Sequence, residues 1–173
     1  GGGAGHAALA AAFGPAPLDG GRRRRLTRGM TTLWKRPTDV AAINARIARG
    51  AGGVFGIRIT AFGPDSLEAE MPVEAQHLQP FGLLHGGVSV VLAETLGSLA
   101  CLMTLPPDRH AVGLEINANH LAAVTAGQVV TAICRPFHTG RTTQVWQTEI
   151  RRADGRLACV SRLTCAVLEG GVA

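Results

Sequence analysis

One run, from Gly82 to Pro106, is almost wholly apolar or small and carries a single carboxylate, Glu94. It is long enough to prompt a transmembrane reading. Glu94 at its middle, His85-Gly86-Gly87 near one end and the lack of basic flanks speak against a membrane span. A helix from about Gly86 to Leu105, stopped by Pro106-Pro107 and buried inside a sheet, fits the pattern better. A lone acid on a buried helix is costly unless it is paired or has a task. Glu94 is therefore the residue to explain, and it points to general-base or nucleophilic chemistry.

The sequence around this helix predicts short elements. Thr38-Asp39 caps a helix through Val40, Ile43, Ile47 and Ala48 that Gly50 closes. Two strands follow, Phe55 to Phe62 and Ser66 to Val73, joined by a turn at Gly63-Pro64-Asp65. Beyond the helix, four more strands are expected at Ala111 to Leu121, Gln128 to Phe137, Thr142 to Arg152 and Arg156 to Val167. Ala126-Gly127, Thr139-Gly140 and Ala153-Asp154-Gly155 supply the turns between them. One buried helix with a mostly antiparallel sheet curled around it is an α+β solution.

Residues 1–30 differ in kind from the domain expected over 31–173. They are Gly/Ala-rich and then basic, with Asp19 the only acid, and they lack apolar periodicity. Such a composition cannot bury enough surface to offset its ordering entropy, so a disordered tail is expected, whether a tag remnant, an upstream start or a targeting segment. The formal charge of +5 comes mostly from Arg22 to Arg25 and Arg28; without them the balance is close to neutral. Few aromatics and no tyrosine argue against a nucleic-acid stacking platform. The four cysteines, Cys101, Cys134, Cys159 and Cys165, lie in apolar runs without metal-ligand spacing. They read as reduced core thiols of a cytoplasmic protein.

Two motifs, Gln79-Pro80-Phe81-Gly82-Leu83-Leu84-His85-Gly86-Gly87 and Leu92-Ala93-Glu94-Thr95-Leu96-Gly97-Ser98, resemble the active-site signature of hotdog-fold acyl-CoA thioesterases. Gly113 to His120 and His138 to Trp146 match the same family in order, so the resemblance covers roughly Leu33 to Leu168. The branch it resembles hydrolyses 1,4-dihydroxy-2-naphthoyl-CoA, 4-hydroxybenzoyl-CoA and related aromatic thioesters. The resemblance implies the hotdog fold, with an antiparallel sheet wrapped around one long helix. It also implies paired helices in a homo-oligomer, a dimer of dimers, with Glu94 of one chain facing Gln79 and Gly86 of another. It assigns Gly113, His120 and Leu121 to the pantetheine path. The chain departs from the family at Ala122-Ala123, which replace a basic residue and a proline; this leaves open a preference for acyl-carrier protein.

The residues bear separate scrutiny. His85-Gly86-Gly87 leaves unpaired N–H groups at a helix start, where the dipole stabilises the oxygen of a thioester under attack. Paired glycines also serve close helix packing. Glu94 follows Gly86 by eight positions, about 12 Å along a helix, so one carbonyl cannot meet both on the same chain. A site shared across a two-fold dimer follows. Ser98, at i+4 from Glu94, holds either the carboxylate or the attacking water, or its hydroxyl bonds back to the main-chain carbonyl of Glu94. Gln79, taken alone a solvent-facing loop residue, is made by the motif a donor to the thioester carbonyl or the water, and His85 either positions the thioester or only caps the loop. His138-Thr139-Gly140-Arg141-Thr142 offers N–H groups, a hydroxyl and a guanidinium to coenzyme A phosphates, or is an ordinary hairpin turn.

Nothing in the chain has the setting of a Ser-His-Asp triad, a phosphate loop or a metal site, so catalysis is expected to need no cofactor. The alternative from a different class is a non-catalytic acyl-CoA sensor, which retention of Glu94 disfavours.

Overall fold

A computed structural model of the chain describes residues 32–170. The tail expected over residues 1–30, with its arginine run, lies outside the described residues.

The first elements follow their capping chemistry. Helix α1 (Val40–Ile47) opens at Asp39, whose carboxylate accepts from Ala41 N at 3.0 Å and Ala42 N at 3.2 Å. A second, single-turn helix, α2 (Ala51–Val54), follows where the sequence led us to expect the chain to run straight into a strand. Its turn folds back on itself, with Ile57 N donating to Gly52 O at 2.8 Å, so strand β1 begins only at Arg58 (Arg58–Phe62). Strand β2 is Leu67–Pro72. A 3₁₀ turn at Ala75–His77, also unexpected, leads through an irregular loop to helix α3 (Gly86–Met103). Strands β3 (Arg109–His120), β4 (Val129–Thr139), β5 (Thr143–Arg151) and β6 (Leu157–Glu169) complete the chain.

The six strands form one sheet in the order β1-β2-β4-β5-β6-β3, and every neighbouring pair is antiparallel. Helix α3 crosses one face of it and touches β2 to β6. The expected α+β architecture is what forms. Alternation along β6 turns Cys159, Ser161, Leu163 and Cys165 towards the helix, where all four are buried. Leu92, Leu96 and Ala100 of α3 meet Met71, Val130, Trp146 and Ile150 in a continuous core. The helix is rich in β-branched valine, so packing rather than propensity holds it.

The two sheet edges differ. The Asn44 side chain on α1 donates to Ile59 O at 2.9 Å and accepts from Ile59 N at 2.8 Å, so it occupies the outer edge of β1. Among the described residues strand β3 pairs with β6 alone; its other edge runs for 12 residues without a proline or lysine, and Val112 and Leu114 stand exposed on the strand.

The buried cysteines are chemically quiet. Burial pushes the Cys134 thiol up to about 12 and raises Cys159 as well. Cys101 is raised by its hydrogen bond to Cys165, which in turn lowers Cys165. All four are free and buried. In the folded protein at pH 8, a disulfide reagent that reports thiols by colour should find none of the four. In denaturant it should find all of them.

Candidate active site

The segment before α3 is clamped on both sides. Gln79 N donates to Leu83 O at 2.8 Å and Gly82 N to Gln79 O at 2.9 Å, closing a tight loop. Gly82 takes φ 76°, a conformation that side chains resist and that lets the chain reverse there. Leu84 N then bonds Val124 O and His85 N bonds His77 O, each at 2.8 Å. The start of the helix is therefore held by main-chain bonds on two sides.

At that start each first-turn donor can be assigned. His85 is the N-cap, and its Nδ1 accepts from Gly87 N at 2.9 Å. In the neutral ring this places the proton on Nε2, which makes exposed His85 a donor to solvent or ligand. Val88 N bonds His85 O at 3.0 Å. Gly86 N–H has no acceptor among the described residues. It stands at the positive end of α3, ready for an anionic oxygen.

Gln79 and His120 flank this donor. The Gln79 Oε1 accepts from Phe81 N, so the amide is held by its oxygen and its Nε2–H groups remain to donate. A Cβ on Gly86 would lie 2.6 Å from His120 Nε2, so only glycine lets the imidazole come this close. Together Gln79, Gly86, Ser89, His120 and Leu121 line a cavity of about 350 Å³.

Glu94 contradicts one expectation. It is exposed in the single chain rather than buried, because α3 covers only half of itself against the sheet. The side chains of Val90, Glu94, Ser98 and Leu102 lie outside the core, an acid between apolar neighbours. Length and apolarity predicted burial; the helix period leaves these positions without a sheet to cover them. Glu94 lies over β3: a Cβ on Gly113 would be 3.2 Å from its Oε1. Ser98 sits one turn on, half-buried, on the same open face.

The residues expected to hold coenzyme A fall into two groups. Gly113, His120 and Leu121 lie along β3 and its end, beside α3. Thr139, Gly140 and Arg141 line a second hollow, of about 670 Å³, near the far end of α3. The helix between is 18 residues, about 27 Å, so one chain does not bring the groups together. His138 folds over the same turn, its Nε2 2.6 Å from where a Gly140 Cβ would be. Thr142 O accepts from Val167 N at 2.8 Å and ties the turn to β6. Lys35 and Arg109 also line this hollow, although the sequence did not mark them. They come from segments remote from residues 138–142, and no local spacing signals the meeting.

Comparison with known proteins decides the family. Residues 81–159 match the model of the thioesterase superfamily. A putative esterase of Haemophilus influenzae is 50% identical over 136 residues, covering 79% of this chain and 98% of the relative. A 1,4-dihydroxy-2-naphthoyl-CoA hydrolase of Escherichia coli K12 is 48% identical over 136 residues, or 79% of this chain and 99% of that one. The chain belongs to the thioesterase superfamily. The crystal structure of a Haemophilus influenzae thioesterase superposes with a TM-score of 0.77 at 49% identity, over 80% of this chain and 96% of that one. The match confirms the hotdog arrangement of sheet and helix, and the protein is a thioester hydrolase.

If the open space above Gly86 matters to this thioesterase, filling it must displace His120. Gly86→Ala should lower kcat/KM by at least about tenfold while the melting temperature stays within a few degrees. A steady-state assay beside a thermal melt checks both.

Proposed function

We propose that this thioesterase hydrolyses an acyl-CoA with an apolar, aromatic acyl group, at a site assembled from two copies of the chain. The observation that carries this reading is the pairing of a free Gly86 N–H with a carboxylate two turns away on the same helix. In that geometry Gly86 and Gln79 of one copy polarise the thioester carbonyl. Glu94 of a second copy attacks the carbonyl carbon or activates the water that does. In either route the C–S bond breaks with its electron pair on sulfur. Direct attack leaves an acyl anhydride on Glu94 that a water then hydrolyses, whereas activated water gives the acid at once. A proton from that water ends on the coenzyme A thiolate.

The open edge of β3 supports the pairing. Glu94 stands at Gly113 and Gly86 at His120. Antiparallel pairing of β3 with β3 of a second copy, centred between Ile116 and Asn117, sets Gly113 of one chain across from His120 of the other. Each Glu94 then comes to the other copy's Gly86. The same pairing covers the open face of α3 and draws the Lys35, Arg109 and Arg141 hollow of one copy towards the His120 cavity of the other. Lys35, Arg109 and Arg141 with the N–H groups of a turn suit the phosphates of coenzyme A; Asp108 lines the same hollow and Glu169 pairs with Arg109, so Lys35 and Arg141 are its unpaired cations among the described residues.

For the acyl group, a hollow of about 610 Å³ lined by Ile43, Ile47, Leu99, Leu102 and Met103 opens beside α3, one to two turns beyond Glu94. Its walls are mostly apolar, with Arg36, Asp39 and Arg46 also lining it, and favour a ring over a short acyl group. The Escherichia coli relative is named for a naphthoyl thioester, and a relative from Cronobacter turicensis, 46% identical, is named a proofreading thioesterase. We extend the pairing to a tetramer of two such dimers.

Two experiments test the reading. Aromatic acyl-CoA should be hydrolysed faster than short or long aliphatic acyl-CoA. A carrier-protein thioester in the same panel checks the coenzyme A preference, since Ala122 and Ala123 put no cation beside His120. Glu94→Gln should lower turnover roughly a hundredfold to ten-thousandfold. Gln79→Ala should also be nearly inactive alone. Co-expressed, the two should form hybrids with one intact site, and activity should return towards half the wild-type value per hybrid dimer. Hybrids verified by mass that stay inactive would place each site within one chain.

A further inference from the structure

His77 is buried with 1% of its surface exposed, yet it belongs to no motif that marks the site. It ends the 3₁₀ turn Ala75–His77 and closes a reciprocal capping box with Glu74. Its Nδ1 lies 3.1 Å from Glu74 N and 2.8 Å from Pro72 O, the last residue of β2; it accepts from the first in one tautomer and donates to the second in the other. Its Nε2 has no partner among the described residues, and the ring packs against Phe55 with centroids 5.7 Å apart. One ring nitrogen thus carries all the polar contacts of the side chain. The main chain of the same residue leads directly to the site, because His77 O accepts the N–H of His85 at 2.8 Å. His85 is the N-cap of α3, and the next N–H along the chain is that of Gly86.

We propose that His77 is a positioning residue for the carbonyl-binding end of α3. Through Nδ1 its side chain ties the 3₁₀ turn to the chain leaving β2, by accepting from Glu74 N or by donating to Pro72 O. The locked turn presents a carbonyl that fixes the height of His85, and His85 fixes the Gly86 N–H. The proposal rests on the reading that Gly86 N–H binds the thioester oxygen. An error of about 1 Å at such a donor is enough to cost a large part of the rate, so a remote lock at this point governs turnover more than substrate affinity.

The unequal use of the two ring nitrogens supplies the test. An asparagine amide places its oxygen and nitrogen near the position of Nδ1, whereas a glutamine amide reaches towards Nε2. His77→Asn should keep kcat within about threefold of wild type. His77→Gln should lower kcat tenfold or more with KM within about twofold, at a temperature where both variants are folded. His77→Phe keeps the ring against Phe55 without either nitrogen, and it should behave as the glutamine variant does. It serves in its place if that protein does not fold.

The second readout is the amide resonance of Gly86 in glycine-labelled protein, assigned by its loss in Gly86→Ala. It should shift in His77→Gln and His77→Phe and stay in place in His77→Asn. A fall in kcat without an amide shift, or equal losses in all three variants, would overturn the proposal. An amide shift with unchanged kcat would leave His77 as the lock and overturn instead the role of Gly86 in binding the carbonyl.

Discussion

Helix α3 lies against one face of a six-stranded sheet, and everything else in the molecule follows from the fact that the sheet covers only half of it. The covered half, led by Leu92, Leu96 and Ala100, supplies most of the core and fixes where the helix begins. The uncovered half holds Glu94 between valine and leucine. A soluble chain keeps so apolar a helix face only where something else comes to lie on it. The free N–H at one end and the acid two turns along make that covering surface the natural place for chemistry.

Much of the fold was legible because its signals are local. Asp39 caps as its position predicts, Pro106-Pro107 marks the end of the long helix, and alternation along β6 gives the buried face residue by residue. The misses have equally physical causes. The 3₁₀ turn at Ala75–His77 depends on an imidazole standing where Glu or Gln is usual in a capping box. The extra turn at Ala51–Val54 depends on a carbonyl taken by Ile57, outside the helix itself.

The sequence names the candidate residues but not how they are arranged. Sequence spacing alone separates Glu94 from Gly86 by about 12 Å of helix, the separation on which the proposed two-copy site rests. It could not report that the acid is exposed in the single chain, since amphipathicity is weak in a run with so few polar residues. Nor could it report that His120 comes against Gly86, because that contact joins positions 34 residues apart through the packing of β3 on α3. Contacts of that kind have no signature in either segment taken alone.

Asn44 bears on what this chain can become in number. A sheet with both edges open can add copies without limit and grow into a filament, whereas a sheet with one open edge closes after a single addition. By occupying both main-chain groups of Ile59, one amide side chain on a surface helix blocks growth at β1. The edge of β3, which has neither proline nor lysine, then faces no matching free position at Ile59 of a further copy.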